Sequence, residues 1–62
     1  MSATDRLRDV ERAAQGRVNG IAMAMSAIWT RGEVVGADTR EELSRALAEL
    51  VLAWEAMAKE LP

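Results

Sequence analysis

Cysteine, histidine, tyrosine and phenylalanine are all missing from this 62-residue chain. Without cysteine there is no disulfide, and without cysteine or histidine the common zinc sites are excluded. The same gaps remove the thiol nucleophile, the imidazole base and the phenol acid of most catalytic sites. Aromatics amount to 3% of the chain, as Trp29 and Trp54 alone. Proline occurs once, at Pro62, so nothing interrupts helices elsewhere. Long apolar runs are also missing. The longest uncharged stretch, VNGIAMAMSAIW from Val18 to Trp29, is closed by Arg17 and Arg31 and diluted by Asn19, Gly20 and Ser26. A membrane span needs about 20 apolar residues, and a secretory signal would not carry Asp5, Asp9 and Glu11 ahead of its apolar part. Neither is expected. A chain free of cysteine fits a reducing compartment, so the expected location is cytoplasmic.

Half of the residues are hydrophobic, chiefly Ala, Leu, Met, Val and Ile, a set that favours helices over strands. Net charge is −2. Residues 1–36 carry five Arg against four acids, and residues 37–62 three bases against six acids. No excess of either sign points to nucleic acid or anionic lipid.

The spacing predicts an all-α hairpin in one domain, 1–62. SATD starts the first helix, with Ser2 as N-cap and Asp5 as its capping partner. Leu7, Ala14, Val18, Ile21, Met25 and Ile28 then follow the spacing of one helical face, with Val10 beside them and Glu11 as the polar member. The first helix is expected over about 3–30, and RGEVVGAD ends it with two glycines. DTREEL opens the second, expected over about 39–60, through a capping box of Asp38 with Glu41 or Thr39 with Glu42. Leu43, Leu47, Leu50, Trp54, Met57 and Leu61 form its apolar row, and Glu41–Arg45 and Glu55–Lys59 are expected as i,i+4 ion pairs. Gly16 and Gly20 each cost about 1 kcal/mol in a helix interior, and Asn19–Gly20 is a turn signal. The first helix is therefore either continuous or bent there; the apolar face runs through in phase, which favours continuity.

Ala13, Gly16, Gly20, Ala24 and Ala27 form a ridge of small residues on which another helix can pack closely. A short loop makes the two helices antiparallel. Pairing Ile28 with Leu43 places Ile21 near Leu50, Val18 near Trp54 and Ala14 near Met57. Helix 2 then ends early and leaves Leu7 and Val10 as an uncovered overhang. Ala46, Val51, Leu52, Ala53 and Ala58 widen the second helix's apolar face beyond one seam. Two hairpins in a four-helix bundle cover that width, so a homo-oligomer, with a dimer favoured, is expected. Trp54 belongs to the core in this arrangement, and Trp29 with Val34 and Val35 closes the loop end; left open, those three would form a docking patch.

Catalysis is not expected, and neither is a cofactor or metal. Ser2 and Thr39 fit caps, Ser26 and Ser44 fit small helix positions, and a di-metal bundle site would require Glu-x-x-His pairs that do not occur. Binding is the expected mode of action, with a protein partner held at the Leu7–Val10 overhang or the loop patch. Two alternatives have residues of their own. Arg8, Arg12, Gln15 and Asn19 make a polar stripe, doubled in a dimer, and the plan resembles that of plasmid copy-control hairpin dimers, which implies RNA as a ligand. RALAELVLAWEAMA, residues 45–58, resembles the second helix of small phage hairpin proteins that sequester nucleotide signals between subunits. That resemblance implies a small anionic ligand; Arg40, Arg45 and the RGEVVG backbone are the groups here suited to one.

Overall fold

The computed structural model describes residues 3–60, so the expected Ser2 cap and the Leu61 end of the apolar row lie outside the described residues. Two helices form an antiparallel hairpin: α1, Ala3–Thr30, and α2, Ala37–Glu60. The hairpin is a rod with extents of 47 × 16 × 15 Å. α1 is unbroken through Gly16 and Gly20. Seam contacts on both sides of the glycines hold the helix where propensity alone would weaken it.

The two helices are joined by a helix stop with defined chemistry. Gly32 takes φ of 79°, its N–H donates to the Trp29 carbonyl at 2.9 Å, and the Glu33 N–H donates to the Ile28 carbonyl at 3.1 Å. These two bonds are the Schellman pair, and the left-handed residue between them is the position where glycine has no Cβ penalty. α2 then starts earlier than DTREEL suggests. The Arg40 N–H donates to the Gly36 carbonyl at 3.2 Å, which makes Gly36 the cap residue. Neither expected capping box forms. Glycine is accepted at an N-cap and Ala37 is a strong helix former, so the helix extends back by two residues, with Asp38 inside its first turn near the positive end.

Every described α1 residue that is not exposed falls on one seam: Thr4, Leu7, Glu11, Ala14, Val18, Ile21, Met25 and Ile28. This is the expected face, with Glu11 as its polar member. On α2 the outcome differs. The buried residues are Ala46, Leu50 and Ala53, flanked by partly buried Leu43 and Met57. Leu47 and Trp54 are half-exposed at the edge. The middle of the apolar sector is thus the row through Ala46 and Ala53, and the expected core position of Trp54 is wrong. A seam between two helices about 8–10 Å apart has no room for an indole. Trp54 lies along the rim, and its Nε1–H reaches Glu11 Oε1 at 3.4 Å.

The register also differs from the expected one. Arg17 pairs with Glu49, and Trp54 sits beside Glu11 where Val18 was expected. Together the two contacts move α2 by five to seven residues relative to α1, a little under two helical turns. Pairing Ile28 with Leu43 would start α2 about 6 Å beyond the end of α1, whereas the observed contacts set the two helix ends near one level across the connection of residues 31–36. As a result there is no N-terminal overhang at Leu7, which is partly buried and shares a groove with Leu52 and Ala56. The expected i,i+4 pairs are not closed either. Among the described residues the ion pairs are Arg17–Glu49 and Arg31–Glu33; Glu41, Arg45, Glu55 and Lys59 are exposed, where such pairing gains only tenths of a kcal/mol.

Candidate functional site: the two flanks of the hairpin

A two-helix layer has two broad flanks, and the seam residues fix what each one displays. One flank is marked by the Arg17–Glu49 pair. Val10 lies seven residues before Arg17, on the same line of α1, and is 54% exposed. Leu52 stands beside it from α2 at 63% exposed. Between them runs a groove of ≈450 Å³ lined by Leu7, Val10, Ala13, Ala14, Leu52, Ala53 and Ala56 and ending at Arg17 and Glu49. Toward the open end of the hairpin it continues past Ala3, Arg6, Glu55, Lys59 and Glu60, so charges of both signs border it.

The other flank is marked by the Trp54–Glu11 contact. It carries Leu47, Val51 and Trp54 from α2, each close to half-exposed. The stripe Arg8, Arg12, Gln15 and Asn19 lines the α1 side, and all four are exposed. The stripe is therefore real as a surface, but Glu11 borders it and an apolar row, not a basic one, runs alongside. Phosphate tracking needs cations without interleaved acids.

The structure separates the remaining expected residues. All five ridge residues are exposed, and a Cβ added at Gly16 or Gly20 would meet nothing within 4 Å. Ala13 borders the Val10–Leu52 groove, and α2 does not pack against the two glycines. Trp29 and Val34 do not close the loop end: they are 74% and 88% exposed, with Val35 only partly covered. The Schellman turn sends the chain across the ends of the helices without folding Val34 back, which leaves the patch open. Arg40 and Arg45 do share a shallow cavity of ≈410 Å³ with Ala37, Glu41 and Ser44 at the start of α2, but Glu41 stands between them. An anion held there would meet a carboxylate as well as two guanidinium groups.

Among the described residues no group of three or more Asp or Glu is placed to hold a metal ion, and no buried side-chain polar atom is without a partner. No described helix is long and apolar enough to cross a membrane. The unsatisfied feature is hydrophobic. The sequence pointed to a wide apolar face, but the division of that face into two flanks follows from which of two 3–4 rows enters the seam.

No family model, curated protein or solved structure matches this chain. The reading of its function therefore rests on the flanks themselves.

Proposed function

We propose that this chain is a non-catalytic helical-hairpin interaction protein that self-associates, as a dimeric four-helix bundle, and captures a protein partner. One observation carries the reading: the imbalance between what the hairpin buries and what it leaves in water. Its core is Ala14, Ala46, Leu50 and Ala53, while Val10, Met23, Trp29, Val34, Leu47, Val51, Leu52 and Trp54 all remain substantially exposed. The chain exposes 4836 Å², whereas a folded monomer of 6.8 kDa exposes about 4,000 Å². A small fold without disulfide or metal draws its missing burial from association.

The loop patch of Trp29 and Val34 supports the second half of the reading. It sits at the closed end of the rod, away from both flanks, and presents a tryptophan of the kind that anchors protein interfaces. Native mass spectrometry of the chain purified gently from expressing cells tests both halves. A homo-oligomer carrying a further polypeptide is the expected result. Trp29→Ser with Val34→Ser should release that polypeptide and keep the oligomer. A bare monomer would sink the proposal.

A further inference from the structure

We infer that the flank carrying Val10 and Leu52 is the surface on which a second copy of this chain docks, related to the first by a twofold axis along the length of the hairpin. The inference rests on the self-association reading above and names the face and the symmetry. An interface between identical copies must be its own complement. This flank carries both halves of such a match. Val10 and Leu52 project, at 54% and 63% exposed, and Ala13, Ala53 and Ala56 leave the hollow between them. A twofold along the rod exchanges α1 and α2 at equal height. The projecting Leu52 then meets the alanine-lined side of α1 in the partner, and the reverse holds at the same time.

The charges agree with that operation. Arg17 and Glu49 face each other across the groove at one level. The twofold sets Arg17 opposite Glu49 of the partner subunit, and Glu49 opposite the partner's Arg17. One ion pair becomes a four-membered ring of alternating sign, so no like charges are forced together. The Trp54 flank has no such self-match. There the same operation lays Arg8 and Arg12 against the apolar row of Leu47, Val51 and Trp54, which takes two guanidinium groups out of water beside Glu11, a carboxylate that Trp54 already engages.

Solution mass by light scattering, with helicity by circular dichroism, tests this on the wild type, Leu52→Lys and Val51→Lys. Both substitutions are at exposed positions that a folded hairpin tolerates. The expected result is a dimeric wild type, a dimeric Val51→Lys and a Leu52→Lys whose mass falls by half with its helices intact. A second measurement does not depend on that variant folding. The chain has no cysteine, so Val10→Cys and Ala56→Cys can be mixed and mildly oxidised. A twofold that exchanges the helices gives mainly the mixed disulfide between the two variants. Equal or dominant like-with-like disulfides, or none, would overturn the proposed symmetry. A wild-type oligomer that Val51→Lys breaks and Leu52→Lys does not would overturn the face and leave self-association standing. A wild-type monomer at high micromolar concentration, or a one-to-one complex with a different polypeptide on this flank, would remove the self-association reading and the inference with it.

Discussion

Gly16 and Gly20 sit in the middle of a 28-residue helix with open space where a Cβ would stand. Within a single hairpin they have only a cost, about 0.5–1 kcal/mol each relative to Ala. Gly16→Ala and Gly20→Ala should therefore each raise the unfolding free energy by that amount, read as a higher urea midpoint with unchanged helix content. A lower midpoint would mean that another backbone approaches the ridge in solution. Gly32 differs in kind, because its φ of 79° is required by the Schellman turn. The two tryptophans show the limit of reading residues singly. Trp54 has the spacing of a core residue and Trp29 the position of an end plug, yet Trp54 stands about half and Trp29 mostly in water, because a two-helix seam is too narrow for one and the turn runs past the other.

At the scale of the helix, the decisive fact is which row of α2 faces α1. Leu43–Leu47–Leu50–Trp54–Met57 and Leu43–Ala46–Leu50–Ala53–Met57 both keep 3–4 spacing. Choosing the larger side chains selects the first row; close approach of the helices selects the second. The consequence is measurable. Leu50→Ala removes a buried side chain and should cost about 2–4 kcal/mol, whereas Leu47→Ala, at the rim, should cost less than about 1 kcal/mol in the hairpin itself. Equal losses in chemical denaturation would mean that Leu47 is as covered as Leu50. The end of α1 was legible because its glycines are a local signal, and the start of α2 was misplaced by two residues because Gly36 caps it ahead of DTREEL. The rotation of α2 was not legible, because its apolar sector is wider than one seam and periodicity cannot mark the middle of it.

At the scale of the whole molecule, a rod of 47 × 16 × 15 Å built on four buried residues has a stability tied to its surroundings. If copies associate, the folded state is favoured by mass action, and the thermal midpoint rises by a few degrees for each tenfold increase in concentration. A midpoint independent of concentration would show a hairpin that stands alone. This scale also explains why the candidate surfaces changed. Leu7 left the overhang once the register moved by five to seven residues, while Val10 and Leu52 came together across a groove. Neither change alters a single residue's local preference.

The sequence by itself determined that the chain is two helices, where α1 ends, that α1 buries the Leu7–Ile28 face, and that the usual thiol, imidazole and phenol chemistries are absent. Each follows from composition, or from signals read within a few residues of one another. Only the tertiary structure decided the register, the row of α2 that enters the seam, and hence which large side chains line which flank. Heptad patterns repeat, so a shift by seven residues or a small turn of one helix satisfies the pattern equally well. In the folded chain the connection through Gly32 and Gly36 sets the two helix ends near one level, and Trp54 takes the rim beside Glu11.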